Sequence, residues 1–138
     1  MTKVARFGVS LDNDLLKQFD LLIKGKNYTC RSEALRDLIR EALIRKQWQG
    51  GREIAGAVTL IYNHHKRELV NKLTDIQHDF GNIIISSQHI HLDRDNCLEI
   101  IAVKGSPREA QRLADTLRSV KGVKHGTLSM TTTGRELE

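Results

Sequence analysis

Ile83-Ile84-Ile85-Ser86-Ser87-Gln88-His89-Ile90-His91-Leu92 is followed by Asp93-Arg94-Asp95-Asn96 and then by Cys97-Leu98-Glu99-Ile100-Ile101-Ala102-Val103-Lys104. Two runs of strand formers flank a tetrapeptide of turn formers, so residues 83–92 and 98–104 predict a hairpin. A helix is expected on either side. Upstream, Leu69, Leu73, Ile76 and Phe80 recur at helical spacing from about Lys66 to Phe80. Downstream, Ser106-Pro107-Arg108-Glu109 combines a capping box with proline at the first helical position. Ala110, Leu113, Leu117 and Val120 form the apolar stripe of that helix, and Gly122 ends it. Outer strands at about Ala55–Asn63 and Val123–Thr131 complete the order strand, helix, strand, strand, helix, strand. That order is the split-βαβ, ferredoxin-like one.

The segment before it reads differently. Ala5, Phe7, Val9 and Leu11 alternate with Arg6, Gly8 and Ser10, the pattern of a short strand over residues 4–11. Asp12 can cap a helix with Leu15, Leu16, Phe19, Leu22 and Ile23 on one stripe, ended by Gly25-Lys26-Asn27. A second helix is expected from about Arg31 to Lys46, and Trp48-Gln49-Gly50-Gly51 reads as a hinge. A strand-helix-helix piece of about 50 residues is too small for a core of its own. Its lone strand also has no ladder partner, so the segment predicts pairing with a second copy. The fold class expected for the whole is mixed α/β (α+β): βαα, then βαββαβ.

Composition narrows the function. With 39% hydrophobic and 28% charged residues, the 138-residue chain is neither disordered nor fibrous. No apolar run approaches the ~20 residues of a membrane span, and the first residues do not read as a signal peptide. Cys30 and Cys97 make no disulfide framework, which leads us to expect a cytoplasmic protein. Of the net charge of +5, residues 1–50 carry +4 (10 Lys and Arg against 6 Asp and Glu), a weak pointer to nucleic acid. All six histidines lie beyond residue 63.

His89 and His91 are two apart on a strand, so both imidazoles leave one face, and Cys97 lies just across the turn. Two imidazoles and a thiolate from one hairpin suit a late first-row divalent metal. His78 lies two residues from both Ile76 and Phe80, about 200° around the helix from each, and so points away from its own sheet. It is either a ligand reaching a neighbouring chain or a surface histidine. His64 and His65 could meet metal, phosphate or solvent, and His125 carries no assigned chemistry. Lys66 and Arg67, near the domain junction, are candidates for phosphate contacts.

Two longer signatures coincide. Arg6-Phe7-Gly8-Val9-Ser10-Leu11, with Tyr28-Thr29-Cys30-Arg31-Ser32-Glu33-Ala34-Leu35-Arg36-Asp37, resembles ribbon-helix-helix DNA-binding proteins. Gln77-His78, His89-Ile90-His91 and Asp95-Asn96-Cys97-Leu98-Glu99-Ile100 resemble the metal site of the NikR family of nickel-responsive regulators. The resemblance covers nearly the whole chain. It implies a ribbon-helix-helix DNA-binding domain at residues 1–50 and an ACT-type nickel-binding, tetramerisation domain at 51–138. It implies a homotetramer, a dimer of dimers, with one Ni(II) per subunit. His89, His91 and Cys97 of one subunit and His78 of another would form a square-planar set, with Gln77 and Glu99 hydrogen-bonding behind it. Arg6, Gly8 and Ser10 would reach base edges of double-stranded operator DNA, with Arg31 and Ser32 as further DNA contacts. Glu33 and Asp37 match positions that help hold a second cation, potassium (K+), between domains in some relatives. The activity implied is repression of nickel uptake genes when nickel is bound.

Two positions depart from the pattern: Gly8 stands where relatives often have Thr or Ser, and Cys30 where Ser or Asn commonly caps the second helix. A metal-dependent enzyme would need an open coordination position and a nearby general base. A filled four-ligand plane offers no such position, and no catalytic motif accompanies it. An amino-acid-sensing regulator would leave the His/Cys set unexplained. Three histidines and a cysteine would also accept Zn(II) or Cu(II).

Overall fold

The computed structural model describes residues 3–137. Its contacts fall into two compact units that part between Leu43 and Ile44.

In the first unit, α1 spans Asn13–Gly25 and is capped by Asp12, whose carboxylate accepts the Leu15 N–H at 2.8 Å. Asn27, at φ 62°, turns the chain toward α2, Arg31–Gly50. Arg31 grips Asp20 of α1 with two hydrogen bonds of 2.9 Å, and the Tyr28 hydroxyl donates to Asp37 at 2.7 Å. Only Ala34 is buried among the described residues of α1 and α2, while Leu22, Leu38, Ile39 and Leu43 stay exposed. The expected strand over residues 4–11 is not formed: the segment is unpaired and Phe7 is 75% exposed. The alternation is there, but a strand is defined by its ladder, and one copy of the chain supplies no partner.

The end of α2 belongs to the second unit. The helix runs through the expected hinge as far as Gly50, and the break falls at Gly51, at φ 76°. Trp48 holds it there. Its indole N–H donates to the Thr131 carbonyl at 2.8 Å, and its ring covers Gly56, where a Cβ would sit 3.2 Å from Trp48 Cζ2 and 2.8 Å from the Ser129 carbonyl oxygen. The packed indole offsets the roughly 1 kcal/mol that a helical glycine costs.

Four antiparallel strands follow the expected order: β1 (Ile54–Asn63), β2 (Ile84–His91), β3 (Asn96–Gly105) and β4 (Val123–Met130), arranged β2-β3-β1-β4. Between them lie α3 (Arg67–Asp79) and α4 (Pro107–Arg118), the latter capped by Ser106 as its sequence predicts. Leu69 and Leu73 of α3 and Ala110, Leu113 and Leu117 of α4 pack with Ile54, Val58, Leu60, Ile101 and Val103 of the central strands. Each fully buried Val, Leu or Ile among them contributes about 1.5–3 kcal/mol. β2 lies at the sheet edge and most of it is exposed.

Candidate metal centre

Register brings the site together. His91 pairs with Cys97 and His89 with Glu99 across β2 and β3, while Tyr62 of β1 pairs with Cys97 from the other side. Directly opposed residues share a face of the sheet, so all five side chains project to the helix-packed face, at one end of it. Their surroundings grade from wet to dry. His89 on the edge strand is 53% exposed, whereas Cys97 and Glu99 on the central strand are 1% exposed.

A buried carboxylate needs partners, and Glu99 has three. The Tyr62 hydroxyl donates to Glu99 Oε1 at 2.8 Å, Gln77 Nε2 donates to Oε2 at 3.1 Å, and His89 Nε2 stands 3.4 Å from Oε2. Burial first, then the hydrogen bond to Glu99 and the charges of Glu99 and Cys97, push the Tyr62 phenol far above its ordinary ionisation range. Tyr62 therefore remains a proton donor. On the other edge of the His89 ring, Nδ1 lies 4.0 Å from Cys97 Sγ and 3.3 Å from the Tyr62 hydroxyl.

That arrangement fits a metal ion. Metal–nitrogen and metal–thiolate bonds of about 2.0 and 2.3 Å put two donors about 3.0 Å apart at right angles and about 4.3 Å apart when opposite. The 4.0 Å between His89 Nδ1 and Cys97 Sγ falls inside this span. A metal on Nδ1 leaves the Nε2–H to donate to Glu99, the carboxylate–histidine–metal relay that fixes tautomer and ring orientation. Among the described residues of a single chain, no three His, Cys, Asp or Glu side chains converge closely enough to hold a metal ion. His91 shares the face, but its ring lies against that of His64, with centroids 4.3 Å apart and planes 8° from parallel. His78 sits exposed on α3 while Leu69, Leu73 and Phe80 are buried, as its helical spacing predicts.

Comparison with known proteins settles what kind of chain carries this site. Residues 55–131 match the NikR C-terminal nickel-binding domain, and residues 5–46 match the ribbon-helix-helix proteins of the copG family. The chain belongs to the NikR family. A putative nickel-responsive regulator of Syntrophus aciditrophicus is 59% identical over 135 residues, 98% of each chain. One of Pyrococcus furiosus is 51% identical over 135 residues, 97% of this chain and 98% of that one. An uncharacterized protein of Thermotoga maritima has a TM-score of 0.52 at 11% identity, over 57% of this chain and 98% of that one, a likeness of fold alone. NikR proteins are regulators rather than enzymes, and the ribbon-helix-helix part makes this one a DNA-binding chain. No helix among the described residues is long and apolar enough to cross a membrane.

The ribbon-helix-helix residues are less engaged than the metal set. Arg6, Gly8 and Ser10 lie exposed in the unpaired segment, and a Cβ built on Gly8 meets open space. Ser32 is exposed, and its carbonyl accepts the Arg36 Nε–H at 3.3 Å. Glu33 accepts the Thr29 hydroxyl at 2.9 Å, and Asp37 accepts Tyr28 and Arg40. Lys66 is the N-cap of α3 and Arg67 its first residue, both exposed. His125 pairs with Ile61 and faces away from the helices. Tyr62 is the site residue that sequence reasoning missed. Its place in the inward phase of β1 was readable, but not its position opposite Cys97.

Proposed function

We propose that the protein is a nickel-responsive repressor that binds double-stranded operator DNA when Ni(II) is bound and so controls nickel uptake genes. The observation that carries this reading is the pair His89 Nδ1 and Cys97 Sγ, 4.0 Å apart, with Glu99 behind the other edge of the imidazole. His89, His91 and Cys97 of one subunit and His78 of another hold one Ni(II) per subunit. Bound there, nickel would supply a charge and a link between subunits. Cys97 ligates as thiolate, and Tyr62 and Gln77 hold the Glu99 carboxylate that orients His89.

The assembly is a homotetramer, a dimer of dimers. Residues 1–50 pair through the strand at 4–11 and the apolar faces of α1 and α2, and residues 51–138 form the metal-binding core. Support comes from the exposed Leu22, Leu38, Ile39 and Leu43, the unpaired strand pattern and the exposed His78. A paired ribbon then presents Arg6 and Ser10 to base edges, with Arg31, Ser32, Lys66 and Arg67 on the phosphates. Potassium held by Glu33 and Asp37 would use the lone pairs left by Thr29, Tyr28 and Arg40.

The test is Cys97→Ala in the full chain. Nickel binding should weaken and the thiolate-to-nickel charge-transfer absorption should vanish. Tetramers mixed from His78→Ala and Cys97→Ala chains should recover some sites, because ligands come from different subunits. An unchanged nickel spectrum in Cys97→Ala would refute the assignment.

A further inference from the structure

The loop between β1 and α3 places two imidazoles beside the proposed ligand set without belonging to it. His64 lies flat on His91, and its Nε2–H donates to the Arg94 carbonyl at 3.2 Å. His65 Nε2–H donates to the same oxygen at 2.8 Å, and the two rings are 4.1 Å apart. One carbonyl has two lone pairs and can accept both. The backbone repeats the link, since the His64 N–H donates to the Asp95 carbonyl at 3.2 Å. Asn63 fixes the loop itself by accepting the His65 N–H at 2.9 Å. The loop thus holds the β2–β3 turn at Arg94 and Asp95.

The two histidines of β2 differ in what orients them. The Tyr62 hydroxyl, 3.3 Å from Nδ1, and the Glu99 carboxylate, 3.4 Å from Nε2, flank the ring of His89 on both edges. The contact that the structure gives the ring of His91 is the face of His64. His91 is exposed on an edge strand, and the torsion that turns an imidazole about its stem is broad. A ligand imidazole must have its plane set before the metal arrives, or the ordering cost comes out of affinity. Stacking does this without competition, because the nitrogen lone pairs lie in the ring plane and stay open.

We propose that His64 is a positioning residue for the metal centre. Its stacked ring sets the plane of His91, and its bonds to Arg94 and Asp95 tie the metal hairpin to the loop that ends in Lys66 and Arg67. The proposal rests on the reading of His91 as a ligand.

The experiment uses full-length protein carrying His64→Ala, His64→Phe or His91→Ala, with Ni(II) as the probe. His64→Ala should weaken nickel binding about 10- to 100-fold, the range for losing a group that orients a ligand. His64→Phe keeps a flat ring and should recover most of that loss. In metal-free protein, the His91 ring-proton NMR signals should show a ring-current shift that His64→Ala abolishes and His64→Phe keeps. Amide hydrogen exchange at Lys66–Val70 should slow on adding nickel in the parent and not in His64→Ala. The proposal is overturned if His64→Ala binds nickel like the parent, or if His64→Phe is as weak as His64→Ala. Nickel-independent exchange in the parent would overturn the tie to the loop. Parental nickel affinity in His91→Ala would instead overturn the ligand reading.

Discussion

Replacing Tyr62 by Phe removes one oxygen from the driest part of the site and leaves the ring's packing intact. Tyr62 and Glu99 are each 1% exposed, and the hydroxyl donates to the carboxylate at 2.8 Å. A hydrogen bond to a charged group contributes about 1.5–3 kcal/mol net. Glu99 keeps Gln77 at 3.1 Å and His89 at 3.4 Å, so it is not orphaned, and the low end applies, about 1.5–2 kcal/mol. That lowers the folding constant about 13- to 30-fold. The assay is urea unfolding of metal-free protein at one fixed concentration, because an oligomer's midpoint moves with concentration. The midpoint should fall with an unchanged slope. Glu99→Gln closes a double-mutant cycle, whose coupling energy should exceed about 0.5 kcal/mol. A loss below about 0.5 kcal/mol, with additive double-mutant behaviour, would refute the claim that this pair holds the site.

Asp20 and Arg31 give a second expectation. The hydrogen bond from Arg31, and then its charge, hold the Asp20 carboxyl below the ordinary carboxylate range. A depressed carboxyl stabilises the fold above its unfolded value of about 3.9, and that contribution is lost as pH falls through the lower folded value. An NMR titration should show the low midpoint, and Arg31→Ala should return it upward. With Arg31 on the phosphates, Arg31→Ala should also flatten the salt dependence of DNA binding by about one phosphate contact, measured on random duplex. Gly56→Val should destabilise by about 1–3 kcal/mol in urea unfolding, because its Cβ would meet the Ser129 carbonyl and the Trp48 ring. Parental stability in that variant would show that the indole packs elsewhere.

Local signals proved readable wherever local chemistry decides the outcome. The Asp93–Asn96 turn forms because the Asp93 carboxylate accepts the backbone N–H groups of Asp95 and Asn96, and Ser106 caps α4 for a similar short-range reason. His89, His91 and Cys97 share a face through period two and a short hairpin, both visible in the sequence. Tyr62 was not legible as a neighbour because it meets Cys97 through β1–β3 pairing, 35 residues apart in a register that no local pattern states. The sequence leaves His64 three alternatives for the same reason, since its partner carbonyl belongs to a distant turn. The glycine pair at residues 50 and 51 overstated the break. A helix tolerates Gly50 when Trp48, two residues earlier, is packed.

Thermodynamic reciprocity tests the central claim most directly. Full-length protein is given a duplex selected from random sequences in the presence of nickel, at one salt and one protein concentration. DNA affinity is measured with saturating Ni(II) and with chelator, and nickel affinity with and without that duplex. If the centre on His78, His89, His91 and Cys97 controls DNA binding, nickel should tighten DNA binding and the duplex should tighten nickel binding by the same factor. DNA affinity that is identical with nickel and with chelator would contradict the account.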